Sequence, residues 1–126
     1  MLASIQQVNY VIVLCDDFER MKAFYTEVFA FPVEAESPTD LAMRAGSVTL
    51  ALRKRTRDYD GHSGGAASPG VQIAFLVAPD EVGPCHEQLV KKGVKILDPP
   101  TDQPRGHRTV YFSDPEGNVL EIYAEV

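Results

Sequence analysis

The chain has 126 residues, about one domain's worth and enough to bury a core without disulfide or metal staples. Hydrophobic residues make up 44% and charged residues 24%, ordinary globular usage that excludes wholesale disorder. Twelve Lys and Arg against eighteen Asp and Glu leave a net charge of −6, and a single short basic run near 53–57 argues against a nucleic-acid partner or an anionic membrane surface.

No apolar run approaches the roughly 20 residues needed to span a bilayer. The opening Met1-Leu2-Ala3-Ser4-Ile5-Gln6-Gln7 has neither the basic nor the apolar stretch of a secretory signal. Cys15 and Cys85 are isolated, without CxxC spacing, and fit reduced thiols in a cytoplasmic protein better than a disulfide scaffold. The expectation is a soluble cytoplasmic domain covering 1–126.

Residues 8–15, rich in β-branched side chains, predict a buried strand. Asp16 or Asp17 can cap a helix that carries Phe18, Met21, Phe24, Tyr25, Val28 and Phe29 at helical spacing, and Pro32 stops it. Extended stretches follow near 32–36, 40–45 and 47–53, with Gly46-Ser47 as a hairpin turn. The first module, about 1–53, therefore reads β-α-β-β-β. The glycine-rich stretch from about 54 to 70 reads as an exposed, mobile connector. The same order then restarts over about 71–126: a strand at 71–77, a helix opened by Pro79-Asp80 carrying Val82, Cys85, Leu89 and Val90 and ended at Gly93, then strands at 94–97, 108–113 and 118–124. Asp114-Pro115-Glu116-Gly117 supplies a turn between the last two. A ferredoxin-like α+β domain is the structural rival, but its order has four strands where this chain offers eight.

Ile5, Val8-Asn9-Tyr10-Val11, Asp16, Ala23-Phe24-Tyr25 and Val28-Phe29-Ala30-Phe31 resemble the opening motif of the vicinal oxygen chelate superfamily, which holds glyoxalase I, bleomycin- and fosfomycin-resistance proteins and extradiol dioxygenases. Gln72-Ile73-Ala74-Phe75 is similar to the start of its second module. Phe112-Ser113-Asp114-Pro115-Glu116-Gly117-Asn118-Val119-Leu120-Glu121 resembles its closing signature. The resemblance covers about the whole chain. It implies an α+β fold in which two βαβββ modules form a curled, cup-like mixed sheet around a small organic ligand, in a protein that is usually a homodimer. Active relatives hold one divalent metal with a ligand from each of four strands. Carried over, those positions are Asn9, Leu50, Gln72 and Glu121, with Leu50 placed by matching Gly46–Leu50 to Gly117–Glu121.

That quartet is a poor metal site. Such ions want imidazole, carboxylate or thiolate donors; Glu121 qualifies, Gln72 and Asn9 offer neutral amide oxygens, and Leu50 offers nothing. No metal or other cofactor is expected. If a divalent metal binds, Gln72, Glu121 and Asn9 are its ligands. Asn9 and Gln72 read equally well as strand residues bonded to neighbouring backbone. Glu121 shares a face with Val119 and Tyr123, yet Leu120 and Ile122 opposite are apolar too, so alternation does not choose between cavity and solvent. Facing a cavity, Glu121 would suit acid–base work.

Among the histidines, His62 sits in the connector and His86 on the second helix. His107 lies in Arg105-Gly106-His107-Arg108, in a loop over 99–108 begun by Pro99-Pro100, where Arg105 and His107 could hold a carboxylate or phosphate or simply be solvated charges. Tyr123 is a further ligand contact, with Phe75 as a second aromatic of interest. No nucleophile triad or phosphate loop is visible. The favoured function is binding of a small organic molecule without a firmly held metal. The alternatives are a metal-dependent lyase or dioxygenase acting on adjacent oxygens, with Glu121 moving a proton, and an interaction module whose concave sheet is filled by its own side chains.

Overall fold

In the computed structural model of the chain, residues 1–61 and 70–126 are described. They fall into two compact units, Met1–His62 and Ser63–Val126. Among the described residues no helix is long and apolar enough to cross a membrane.

The first unit runs β1 (Tyr10–Cys15), α1 (Phe18–Val28), β2 (Val33–Glu36), β3 (Asp40–Ala45) and β4 (Val48–Lys54), the βαβββ order that periodicity predicts. Asp17 caps α1 by accepting from the Arg20 amide at 3.2 Å, which satisfies one of the helix's orphan donors. Phe18, Met21 and Tyr25 bury the inner face of α1. The helix ends where Phe29 turns extended, three residues before Pro32. Gly46, at φ +68°, and Ser47 close the β3–β4 hairpin as a two-residue turn; a left-handed first residue is what such a hairpin requires.

Strand order is β1-β4-β3-β2, with β1 parallel to β4 and the other pairs antiparallel. Partners in register share a face, so the sheet sorts its residues into rows. Val11–Leu50–Met43 and Val13–Leu52–Leu41 make the core-side rows, and all but half-buried Val11 are buried. The opposite, open face carries Tyr10–Thr49–Arg44, then Ile12–Ala51–Ala42–Ala35, then Leu14–Arg53–Asp40.

The second unit repeats the pattern with β5 (Gln72–Leu76), α2 (Val82–Lys91), β6 (Ile96–Asp102), β7 (His107–Ser113) and β8 (Val119–Glu125), in sheet order β5-β8-β7-β6. Pro79 opens a single 3-10 turn ahead of α2, and Gly93, at φ +72°, ends the helix region. Val82 and Leu89 are buried, whereas Val90, expected on the same face, is 53% exposed.

Two expectations need correction. The segment read as a loop from Pro99 is strand through Asp102, and only 103–106 connect β6 to β7. Proline is tolerated because β6 is an edge strand, and its register shifts on both sides of Asp98. Nor is the start of the connector a free loop. Residues 58–60 form a 3-10 turn, and Asp60 is only 7% exposed. Its carboxylate accepts from Arg53 Nη1 (2.9 Å) and Nη2 (2.7 Å) and from the amides of Thr56 and Arg57. The rest of the expected connector, 62–69 with His62, lies outside the described residues.

Candidate functional site

On the second unit, β5 alternates cleanly: Ile73 and Phe75 are half-buried while Gln72, Ala74 and Leu76 are exposed. Parallel pairing sets Ala74 beside Glu121, and antiparallel pairing sets Glu121 beside Tyr111 and Tyr111 beside Asp98. The open face therefore carries the row Ala74–Glu121–Tyr111–Asp98. Leu120 packs in the core with Phe112, and Glu121 takes the face that also carries Gln72 and Tyr123.

Glu121 is 8% exposed, a buried carboxylate whose neighbour is a phenol. Burial first, and then the nearby Glu121 and Asp98 charges, push the Tyr111 phenol above its ordinary range. A protonated phenol can donate to the carboxylate, which leaves the second carboxylate oxygen available to a ligand. Tyr111 is the functional candidate that sequence reasoning missed. Its signal was the antiparallel register of two strands, which becomes legible only once the Asp114–Asn118 turn has fixed which residues pair.

That turn is built around Asp114. Its Oδ1 accepts from the amides of Glu116 and Asn118, both at 3.0 Å, and its Oδ2 from Asn118 Nδ2 at 2.9 Å. Gly117 takes φ +86°. Asn118 Oδ1 in turn accepts from the Gly70 amide at 3.2 Å, which ties the start of the second unit to its last hairpin. The closing motif thus sets the register that presents Glu121.

His107 opens β7, and its ring centroid lies 5.0 Å from that of Tyr123. Arg105 is exposed at the tip of the β6–β7 connection. Arg108, next along, is turned away: it holds Asp102 through Nε–Oδ1 at 2.7 Å and Nη2–Oδ2 at 3.3 Å, and donates to the Pro79 carbonyl. Of the two guanidinium groups in this motif, one is consumed by an ion pair. The open face meanwhile carries the carboxylates of Asp98, Glu121 and Glu125. Its charge therefore suits a hydrogen-bond donor or cation better than the carboxylate or phosphate expected from Arg105 and His107.

On the first unit, the two positions carried over from the resemblance land elsewhere. Asn9 precedes β1, is exposed, and accepts from Gln7 Nε2 at 2.8 Å. By alternation Tyr10, not Asn9, shares the open face with Ile12. Leu50 is 2% exposed in the core-side row with Val11 and Met43. The register explains the slip. Ala51 pairs with Ile12 as Glu121 pairs with Ala74, and Tyr10 stands two residues before Ile12 as Gln72 stands two before Ala74. The first unit's counterparts of Gln72 and Glu121 are therefore Tyr10 and Ala51. As donors for a divalent metal, the second unit's pair offers one amide and one carboxylate and the first unit's pair one phenol, each a poor match to late transition ions. Among the described residues no three of His, Cys, Asp and Glu gather to hold a metal ion.

The first unit also holds a cavity of about 280 Å³ on its open face, lined in part by Tyr10, Ile12, Ala42, Ala51, Asp40 and Arg53.

Comparison with known proteins agrees with this architecture. A metallothiol transferase FosB from Lysinibacillus sphaericus is 26% identical over 120 residues, covering 95% of this chain and 83% of that protein. The uncharacterized protein YwkD of Bacillus subtilis is 25% identical over 129 residues, covering 96% and 98%. Among solved structures, a glyoxalase/bleomycin resistance protein/dioxygenase from Nocardioides superposes with a TM-score of 0.84 at 23% identity, covering 98% of this chain and 85% of that one. A lactoylglutathione lyase from Agrobacterium tumefaciens gives 0.76 at 20% identity, covering 96% and 95%. The profile described as Glyoxalase/Bleomycin resistance protein/Dioxygenase superfamily matches residues 7–122, and the chain, with its paired βαβββ units and closing Asp114–Glu121 motif, belongs to that superfamily.

Proposed function

We propose that this protein binds a small organic molecule and does so without a firmly held metal. The observation that carries this reading is the donor chemistry of the matching open-face positions: Gln72 and Glu121 on one unit, Tyr10 and Ala51 on the other. Three imidazole, carboxylate or thiolate ligands are the usual minimum for a catalytic ion, and Glu121 is the single such group among these positions. The curated relatives include a metallothiol transferase, so similarity alone leans toward metal chemistry and the residues lean away from it.

In this reading Glu121 is the central polar contact, accepting a hydrogen bond from the ligand and able to take its proton. Tyr111 orients the carboxylate. Gln72, His107 and Tyr123 are further ligand contacts on the same face, with Arg105 at its margin. Tyr10 replaces Asn9 as the first unit's contact. The protein acts in the cytoplasm as a homodimer, the assembly that the resemblance implies, and 1–126 functions as one domain.

The test is metal analysis of protein purified without chelator, followed by calorimetric titration with nickel, manganese and zinc. Well below one metal per chain and weak titrations support the reading. One metal per chain, lost on Glu121→Gln, overturns it in favour of a metal-dependent lyase or dioxygenase.

A further inference from the structure

The open face of the first unit carries a row that stability alone does not favour. Ala51, Ala42 and Ala35 stand side by side on β4, β3 and β2, continuing Ile12 on β1. Alanine is depleted from strands because it covers little of a pleated surface. Three in one row leave a flat, shallow floor across adjacent strands. At about 4.8 Å per strand, the row from Ile12 to Ala35 is roughly 14 Å long. The side chains of Tyr10 and Ile12, 56% and 47% exposed, rise along the β1 side. The resulting cavity of about 280 Å³ is near the lower end of the ~300–1,000 Å³ typical of small-ligand pockets.

Charge decides which flat molecule fits. The rows on either side of the alanines each carry an ion pair, Arg44–Glu34 at 3.0 Å and Arg53–Asp60 at 2.7 Å. Glu36, at the cavity edge, is paired with Lys22 at 2.5 Å. Asp40 lines the same cavity, and its Oδ2 accepts from the hydroxyls of Thr39 (2.6 Å) and Ser37 (3.3 Å). Arg53 is its register partner, but both terminal nitrogens of Arg53 are turned onto Asp60. Asp40 is a rim carboxylate whose hydrogen bonds come from hydroxyls, with the Arg53 charge nearby but directed at Asp60. The chain's net charge of −6 further favours approach of a cation over an anion.

We infer that the alanine row of the first unit, with Tyr10 beside it and Asp40 at its rim, is a subsite for a planar aromatic ring system bearing a positively charged amine. The rings lie on Ala51, Ala42 and Ala35 with an edge against Tyr10, and the amine donates to Asp40. This names the ligand class of the binding function proposed above and rests on that reading.

The experiment is a fluorescence titration of the full chain with 9-aminoacridine, which is planar and cationic, and with acridine-9-carboxylate, which has the same rings and the opposite charge. The cation should bind at least about tenfold tighter than the anion. Asp40→Asn should bring the two within about threefold of each other by weakening the cation alone. Ala42→Leu, which fills the floor, should weaken both probes about tenfold or more. Equal binding of the two probes overturns the inference, as does an unchanged preference in Asp40→Asn or undiminished binding in Ala42→Leu. If Ala42→Leu does not fold, Ala51→Val makes the same test with a smaller side chain, and exposed Asp40 remains replaceable. The outcome is separable from that of the broader reading. Probe failure with little bound metal removes only the ligand class, while one metal per chain removes the binding reading whatever the probes do.

Discussion

Tyr111 on β7 stands directly opposite Glu121 on β8, and the buried carboxylate helps hold the phenol protonated. Desolvation is the first cause of the raised phenol value, and the Glu121 and Asp98 charges add to it. A group whose value is raised on folding binds its proton more tightly in the folded chain. Its contribution to stability is intact below the ordinary phenol value of 10.0 and is lost as pH rises through the raised folded value. Unfolding by urea at pH 8 and across the alkaline range should show stability falling above about pH 10, and Tyr111→Phe should remove part of that fall. Glu121→Gln should bring the Tyr111 phenol down toward its ordinary range in an absorbance titration of tyrosinate. An unchanged titration would separate the pair and with it the orienting role of Tyr111.

Asp60 gives the opposite sign. Its hydrogen bonds from Arg53, then from the Arg57 and Thr56 amides, hold its carboxyl well below the ordinary carboxylate range. A depressed value stabilises the fold above the unfolded value, and the contribution is lost as pH falls through the folded one. The expected window opens near pH 4 and extends downward. Asp60→Asn should lower stability at neutral pH and flatten the acid limb of the unfolding curve. Wild type and variant with parallel acid limbs would count against the latch.

The Asp114 side chain accepts three hydrogen bonds inside a single turn and is buried. Asp114→Ala leaves the Glu116 and Asn118 amides without their acceptor. The cost should be on the order of 2–3 kcal/mol, the penalty for stranding buried polar groups. Chemical denaturation measures it directly. Because the turn sets the β7–β8 register, the same variant should disturb the Tyr111–Glu121 pairing, seen as a return of the phenol titration toward its ordinary range.

Leu50 and Ala51 are adjacent but face opposite sides of β4. Leu50→Glu places a carboxylate among Val11, Met43 and the rest of the core-side row, and should cost on the order of 4 kcal/mol or unfold the protein. Ala51→Glu places it on the open face, where the residue is half-buried, and should change stability by about 1 kcal/mol or less. Thermal melts of the two variants decide the facing. Equal tolerance would mean that the register of β1 and β4 has been misread.

The sequence by itself determined the element order, the start of the first helix, the Gly46-Ser47 hairpin, the closing turn and the superfamily, because each depends on local chemistry: a capping carboxylate, glycines at positive φ, and apolar spacing over a few residues. Tertiary structure decided which side of each strand a residue takes. A slip of one position reverses the facing of a strand residue, and where both faces are apolar, as at Leu120, Glu121 and Ile122, alternation gives no warning. Counting from each hairpin's glycine reaches Leu50 and Glu121 in the same four steps, yet the parallel register sets Ala51 beside Ile12 as it sets Glu121 beside Ala74, so the count put Leu50 where Ala51 belongs. The Pro99-Pro100 strand and the Arg53–Asp60 latch were hidden for a related reason. Each depends on a partner that local propensity does not see: an unpaired sheet edge that tolerates proline in the first case, and a guanidinium seven residues back along the chain in the second.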